Sequence, residues 1–236
     1  MRMNIQVIGH GNLMNDAFYP AFLINNVLIC APNGVLKQLQ KMEVNIDDIN
    51  VIVIPHMHGD QYFDLPLIIA HEQRRKRERP LIIVGPKELR KKLNKLIKMA
   101  YNERLLDDLK VSFIIASNIQ NANVTADLFF TFVNVKHAKL KTAYGLIIKN
   151  EKSSVGFSFE SKTCPGLSYL IKEVKNCVIN ISDNEDKNTL TFDEFQKISD
   201  EVPINFIPVG YPDALRKKLE ANKRTKMIDE GEQFYI

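Results

Sequence analysis

Cysteine is scarce in this chain. Cys30, Cys164 and Cys177 are the three in 236 residues. No two are spaced as a CxxC pair, and their number is odd. Both facts argue against a disulfide framework or a cysteine zinc knuckle, and for a reduced compartment. Long apolar runs are also missing. The longest cover a few residues, against the ~20 that span a bilayer. The opening MRMNIQVIGHGN has no apolar stretch followed by a small-residue cleavage site. The expectation is a soluble, cytoplasmic protein with no membrane partner. Nor is one sign of charge in large excess. A formal net charge of +4 tolerates an anionic substrate without demanding nucleic acid.

What is present suffices for a packed core. Hydrophobic residues make up 45% of the chain and charged residues 25%, an ordinary globular balance. No low-complexity linker divides the sequence, so 1–236 reads as one domain. Residues 4–8 read as a strand that enters a glycine turn, Gly9-His10-Gly11-Asn12. AFLI (21–24) and VLIC (27–30) flank Asn25-Asn26, a hairpin turn. Val35, Leu36, Leu39 and Met42 share helical spacing over 34–42. VIVIP (51–55) is the short apolar run of a strand covered on both faces. A helix starts at Pro66, and LIIV (81–84) is another buried strand. An amphipathic helix follows over 87–101, with Leu89, Leu93, Leu96, Ile97 and Ala100 facing inward. The second half repeats the logic. Strands are expected at 111–116, 127–136, 144–149 and 153–158, then at 177–181 and 204–208. Helices are expected near 165–174, 191–200 and 212–222, with a short strand pair at the end. Two β-then-α halves without a linker make a layered sandwich.

The chemistry concentrates in Pro55-His56-Met57-His58-Gly59-Asp60-Gln61-Tyr62-Phe63-Asp64-Leu65-Pro66, directly after an apolar strand. Histidines at i and i+2 of a strand end can point the same way, and an aspartate two residues on can turn in beside them. Imidazole and carboxylate are the ligands of a hydrolytic zinc site. The carboxyl end of a buried strand gives such ligands rigid support beside a crevice.

HMHGDQYFDLP resembles the H-x-H-x-D-H-x-x-G-L-P signature of metallo-β-lactamase-fold hydrolases, ribonuclease Z in particular. The likeness extends along nearly the whole chain. NIQVIGHGN resembles the opening strand and glycine turn. AFLINNVLICAPNGVLKQLQKM resembles the segment with a Leu-Ile-Asp-Cys-Gly-Pro-Gly-like run. His137, in VNVKHAKLKTAYGLIIKN, falls where the next histidine ligand belongs, and VGFSFES (155–161) lies at the Ser-Gly-Asp-Thr turn. TFDEFQKISD and MIDEGEQFYI resemble a late helix and the closing strands. The resemblance implies an α/β fold, a four-layer αβ/βα metallo-β-lactamase sandwich of two mixed β-sheets flanked by helices. It also implies a first metal on His56, His58 and His137, and a second on Asp60 and the residue after it. A dimer is a further implication.

The chain departs from that pattern. Gln61 replaces the histidine after Asp60, and Glu160 stands at the bridging aspartate. Val209-Gly210 lacks the last ligand histidine, and Asn188-Thr189-Leu190 lacks the catalytic histidine of the ribonuclease Z branch. Asp64 replaces a glycine, and Ile29 an aspartate. Three imidazoles plus Glu160 would complete a tetrahedral zinc set. If Glu160 stays away, water takes the fourth place and the site is open. Manganese or another divalent ion is an alternative to zinc, and so is no metal at all. The second position keeps only Asp60 as a strong ligand.

Two functions are carried forward. One is a one-metal hydrolase of a phosphodiester or other ester-like bond in a small or nucleotide-like substrate, with Asp60 and Glu160 as catalytic carboxylates. The other is a non-catalytic binding or regulatory module. Maturation of tRNA ends is disfavoured, because no insertion is long enough for a tRNA-clasping arm. The run Arg74-Arg75-Lys76-Arg77-Glu78-Arg79 reads as a solvated helix end. His10 reads as a turn residue, His71 as a helix residue without a metal role, and Cys30 as a small buried thiol.

Overall fold

The computed structural model describes residues 3–101, 104–125 and 127–236. Its first sheet contains β1 (Asn4–Gly9), β2 (Ala21–Ile24), β3 (Val27–Ile29), β4 (Val51–Val53), β5 (Leu81–Gly85) and β6 (Val111–Ile115). The second contains β7 (Ala122–Thr125), β8 (Leu128–Asn134), β9 (Tyr144–Lys149), β10 (Ser154–Phe157), β11 (Asn176–Asn180) and β12 (Asn205–Val209). The chain then returns to the first sheet as β13 (Gln233–Tyr235), pairing antiparallel with β1. The strand orders are β13-β1-β2-β3-β4-β5-β6 and β12-β11-β10-β9-β8-β7. Both sheets mix parallel and antiparallel pairs.

Seven helices cover the outer faces among the described residues: α1 (Val35–Lys41), α2 (Gly59–Tyr62), α3 (Leu65–Arg74), α4 (Leu89–Tyr101), α5 (Pro165–Lys172), α6 (Phe192–Glu201) and α7 (Arg216–Glu220). The period-two alternation of strand side chains sorts the core into three slabs. Val51 and Val53 of β4 face the other sheet, where they join Phe130, Leu146 and Phe157. Ile52, between them, points the opposite way, to Leu39, Ile68 and Leu93 of the helices. Val178 of β11 likewise faces inward, while Cys177 and Ile179 pack under α5 and α6. Helix, sheet, sheet, helix is the four-layer order expected from the sequence.

Local signals explain most boundaries. Asn25 adopts φ 53 in the hairpin between β2 and β3, a conformation asparagine tolerates better than most residues. Pro66 occupies the first turn of α3. Thr191 and Glu194 form a reciprocal capping box at the start of α6. The Asp64 carboxylate takes a hydrogen bond from Leu36 N at 2.8 Å. The aspartate that replaces a glycine thus holds the first turn of α1.

The structure also corrects several expectations. Ala100 is exposed, so the inward face of α4 is Leu89, Leu93 and Ile97. The closing strand pair is the single strand β13, and the 212–222 helix is a 3-10 turn, Asp213–Leu215, followed by α7. Cys30 leaves β3 at φ 66 and ends the strand one residue early. Arg77 lies buried against Glu72, so the basic run is not wholly a solvated helix end.

Candidate metal centre

Parallel pairing of β4 with β3 and β5 directs its carboxyl end to the rim between the sheets. The next residues bring His56 and His58 to that rim, and α2 follows with Asp60 and Gln61. His137 comes from the loop after β8, and Glu160 from the turn after β10. Backbone bonds fasten these loops to one another. Tyr144 N donates to Pro55 O at 3.2 Å across the sheets, and Lys162 N to Lys136 O at 2.7 Å. The donors therefore sit on strand ends and on loops cross-braced by the main chain.

His56, His58, His137 and Glu160 each offer one ligand atom, and these atoms lie within 4.8 Å of one another. Glu160 Oε2 is 3.1 Å from His56 Nε2, 3.6 Å from His58 Nδ1 and 3.2 Å from His137 Nε2. His137 Nε2 is 3.0 Å from His58 Nδ1. Ligands at ~2.0–2.1 Å from a tetrahedral zinc lie roughly 3.3 Å apart. The four separations, 3.0 to 3.6 Å, bracket that edge length. On the outer side of its ring, His137 Nδ1 lies 3.1 Å from the carbonyl of Asn188. A carbonyl only accepts, so Nδ1 carries the proton. With Nδ1 committed outward, Nε2 is the nitrogen that His137 turns toward the cluster and would offer to a metal. The donor set fits a divalent ion of zinc type.

The electrostatics follow from crowding. Burial pushes the Glu160 carboxyl up, but hydrogen bonds from His137, His56 and His58 outweigh it and hold it well below the usual carboxylate range. Burial lowers His56, while the hydrogen bond to Glu160 raises the more exposed His58. Burial, then the charge of Glu160 and a hydrogen bond with it, push Asp60 up to about 6. Asp60 is adjacent to Glu160 but outside the group of four.

A cleft of about 270 Å³ opens beside the cluster, with Tyr19, Asp60, Glu160, Asn180 and Thr189 in its wall. Asp183 and Asp186 also line it, and no described lining residue is lysine or arginine. The other sequence candidates fall elsewhere. His71 Nδ1 pairs with Glu72 at 2.8 Å. The ring of His10 stacks on Tyr211 at 6.3 Å.

Gln61 and Gly210, which stand at the second metal position of the resembled pattern, lie in the wall of this cleft. Gln61 is buried, and its Oε1 takes a hydrogen bond from Cys30 Sγ at 3.0 Å. Gly210 adopts φ 64, and a Cβ there would stand 2.5 Å from the Asn180 amide nitrogen. A side chain at 210 would thus need a left-handed backbone and a shift of the Asn180 amide. Sequence reasoning missed this thiol–amide pair, because Cys30 and Gln61 are 31 residues apart and carry no local signal. It also missed the Asn188 carbonyl, which no side-chain pattern could mark.

The chain resembles known proteins over most of its length. A ribonuclease Z of Saccharolobus solfataricus is 30% identical over 127 residues, 52% of this chain and 42% of the relative. The match thus spans less than half of that relative's length. Among solved structures, the metallo-β-lactamase fold protein YhfI from Bacillus subtilis superposes with a TM-score of 0.79 over 100% of both chains, at 16% identity. The short form of human tRNase Z superposes at 0.76 over 98% of each chain, at 12% identity. At such identities the superpositions establish the fold, the metallo-β-lactamase fold. The family model for the anti-Pycsar protein Apyc1 matches residues 3–234, and with the fold and the rim cluster in agreement, the chain belongs to that family.

Proposed function

We propose that the protein holds one divalent metal ion, zinc by preference, on His56, His58, His137 and Glu160. We further propose that it hydrolyses a phosphodiester or other ester-like bond of a small substrate in the adjoining cleft. The observation that carries this reading is the convergence of three imidazole nitrogens and one carboxylate oxygen within 4.8 Å of one another. An imidazole-rich set suits zinc better than magnesium or calcium, with manganese a weaker fit. When bound, such an ion would supply Lewis acidity, and an activated water once Glu160 gives up its place. Asp60 would hold or return a proton at the cleft wall, beside Glu160.

The cleft also bears on substrate class. Its wall carries Asp60, Glu160, Asp183 and Asp186 without a facing cation. A polyanion would be repelled there, and RNA binding draws on phosphate contacts from basic surface. A singly charged or neutral ester is the better match, so maturation of tRNA ends is disfavoured despite the ribonuclease Z relatives. The anti-Pycsar name of the family supplies the biological setting we adopt for this chemistry.

One observation favours a second reading, that of a binding or regulatory module without turnover. Gln61, which stands where the resembled pattern has a histidine, accepts from Cys30, and without that ligand a two-metal clamp on attacking and leaving oxygens would be lost. Elemental analysis of protein purified without added metal or chelator comes first. About one zinc per chain, lost in His137→Ala, supports the metal site. Turnover of bis(p-nitrophenyl) phosphate above a His56→Ala control then supports hydrolysis. No turnover with zinc, manganese or cobalt leaves the module reading in its place.

A further inference from the structure

We propose that Glu160 closes the coordination sphere of this site, so that a bound ion has no exchangeable position in the resting protein. The inference rests on the metal reading above and concerns only what fills the fourth place. Its first support is distance. Glu160 Oε2 approaches the three imidazole nitrogens at 3.1, 3.6 and 3.2 Å, the spacing of atoms that share one small cation. A carboxylate acting on a water at that cation would stand one water further out.

The second support is the turn that carries Glu160. Phe159 adopts φ 49, a left-handed conformation costly for a bulky residue. It falls where the resembled Ser-Gly-Asp-Thr turn has glycine. Buried Ser158 pins the turn, donating from Oγ to Phe159 O at 2.8 Å and accepting from Asn180 N at 3.1 Å. On the far side, Leu190 N donates to Ser161 O at 2.8 Å. The backbone is thus held on both flanks in the conformation that aims Glu160 inward. The third support is reach. Glutamate is one methylene longer than the aspartate of the pattern, and its Oε2 lies among the three imidazoles. Asp60 does not compete for that place, because it lies outside the converging set.

Closure has a functional consequence. A substrate atom reaches the ion only by displacing Glu160, and the turn 158–161 opposes that withdrawal. Shortening residue 160 should therefore open the site. Zinc is spectroscopically silent, so the test uses the full chain loaded with cobalt(II). The wild-type protein should show the visible absorption of a tetrahedral site, unchanged on addition of thiocyanate or phosphate. In Glu160→Ala, and in Glu160→Asp should the alanine variant fail to fold, the same anions should shift the band saturably. A wild-type band that shifts with anion, at an affinity like that of the variants, overturns closure and leaves metal binding intact. Failure of the wild-type protein to take up cobalt sinks the metal reading itself, and closure with it.

Discussion

Arg77 looks, in the sequence, like one charge in an exposed basic run, and the structure makes a severe prediction for its removal. Its guanidinium is 2% exposed and the carboxylate of Glu72 1% exposed, with Nη1 and Oε2 2.8 Å apart. Nε donates to Arg79 O and Nη2 to Ile49 O, each at 2.8 Å. Ile46 O and Pro80 O accept from the same group at 3.3 Å. One side chain therefore ties the end of α3 to the turn before β4 and to the start of β5. Arg77→Ala would leave a buried carboxylate without its main partner, a defect of about 3–5 kcal/mol. For a chain of this size, each kcal/mol lowers the melting temperature by about 2–4 °C, so the fall should be roughly 6–20 °C. Arg77→Lys should recover little, because an ammonium cannot match the planar fork. Replacing both partners, as Arg77→Met with Glu72→Leu, should restore most of the loss, since apolar pairs of similar volume often substitute for buried ion pairs. The assay is urea unfolding and thermal melting of the four proteins. A loss below ~1 kcal/mol for Arg77→Ala would refute the buried-clamp reasoning and return the basic run to the solvent.

Three further outcomes are expected. Zinc at about 100 times its dissociation constant should stabilise the fold by ~2.7 kcal/mol, and His58→Ala should abolish that shift in differential scanning fluorimetry. Protons compete with metal for imidazole, and the Glu160 hydrogen bond raises His58 above its ordinary value. The zinc-induced shift should therefore be full at alkaline pH and shrink on acidification. A shift that grows on acidification would contradict the assignment. Phe159→Gly should stay within ~1 kcal/mol of the parent, because relief at φ 49 offsets lost stacking on Phe157. Phe157→Ala, at a fully buried position, should cost ~3–5 kcal/mol in the same unfolding titration. Finally, Cys30, Cys164 and Cys177 are free and buried, and burial raises the thiols of Cys30 and Cys177. Ellman's reagent should thus find no reactive thiol in the native protein and three after denaturation; a native equivalent would show that the core opens.

Much of the fold was legible because its signals are local. VIVIP and LIIV announce buried parallel strands, and Thr191 with Glu194 announces a helix start. The strand Ala122–Thr125 was missed, because the alternation of Ala122 and Val124 with Asn123 and Thr125 is too short to stand out. The four-residue α2 was missed because one turn has no period to detect. At the site, His56, His58 and Asp60 stood in one short motif. His137 and Glu160 were reachable only through family resemblance, since nothing local in VNVKHAKLK or VGFSFES marks a ligand. Whether Glu160 would fold inward was undecidable from the sequence. It depends on the backbone at Phe159, whose positive φ no side-chain pattern reveals.

The two metal positions of the resembled pattern differ in how their polar atoms are satisfied, and that difference separates a filled site from a poised one. A buried polar group without a partner costs ~1–3 kcal/mol, so a position that has lost its ion must find replacement bonds. At Gln61 such bonds are present: the Cys30 thiol donates to it, and the amide of Asn180 lies where a side chain at Gly210 would start. The four ligand atoms of the first position instead meet one another: His56, His58 and His137 share the Glu160 carboxylate, and His137 Nε2 faces His58 Nδ1. Protons could satisfy some of these contacts, at the expense of charging imidazoles of which two are buried. A single divalent cation satisfies all four donor atoms at once. The same accounting limits what restoration can achieve. Gln61→His would return one imidazole to the rim but would orphan the Cys30 thiol, and Gly210→His would have to displace Asn180 from a left-handed backbone. Both substitutions together should therefore lower stability before they raise the metal content above one ion per chain. A second tightly bound ion in that double variant, without loss of stability, would show that the rim is softer than its hydrogen bonds imply.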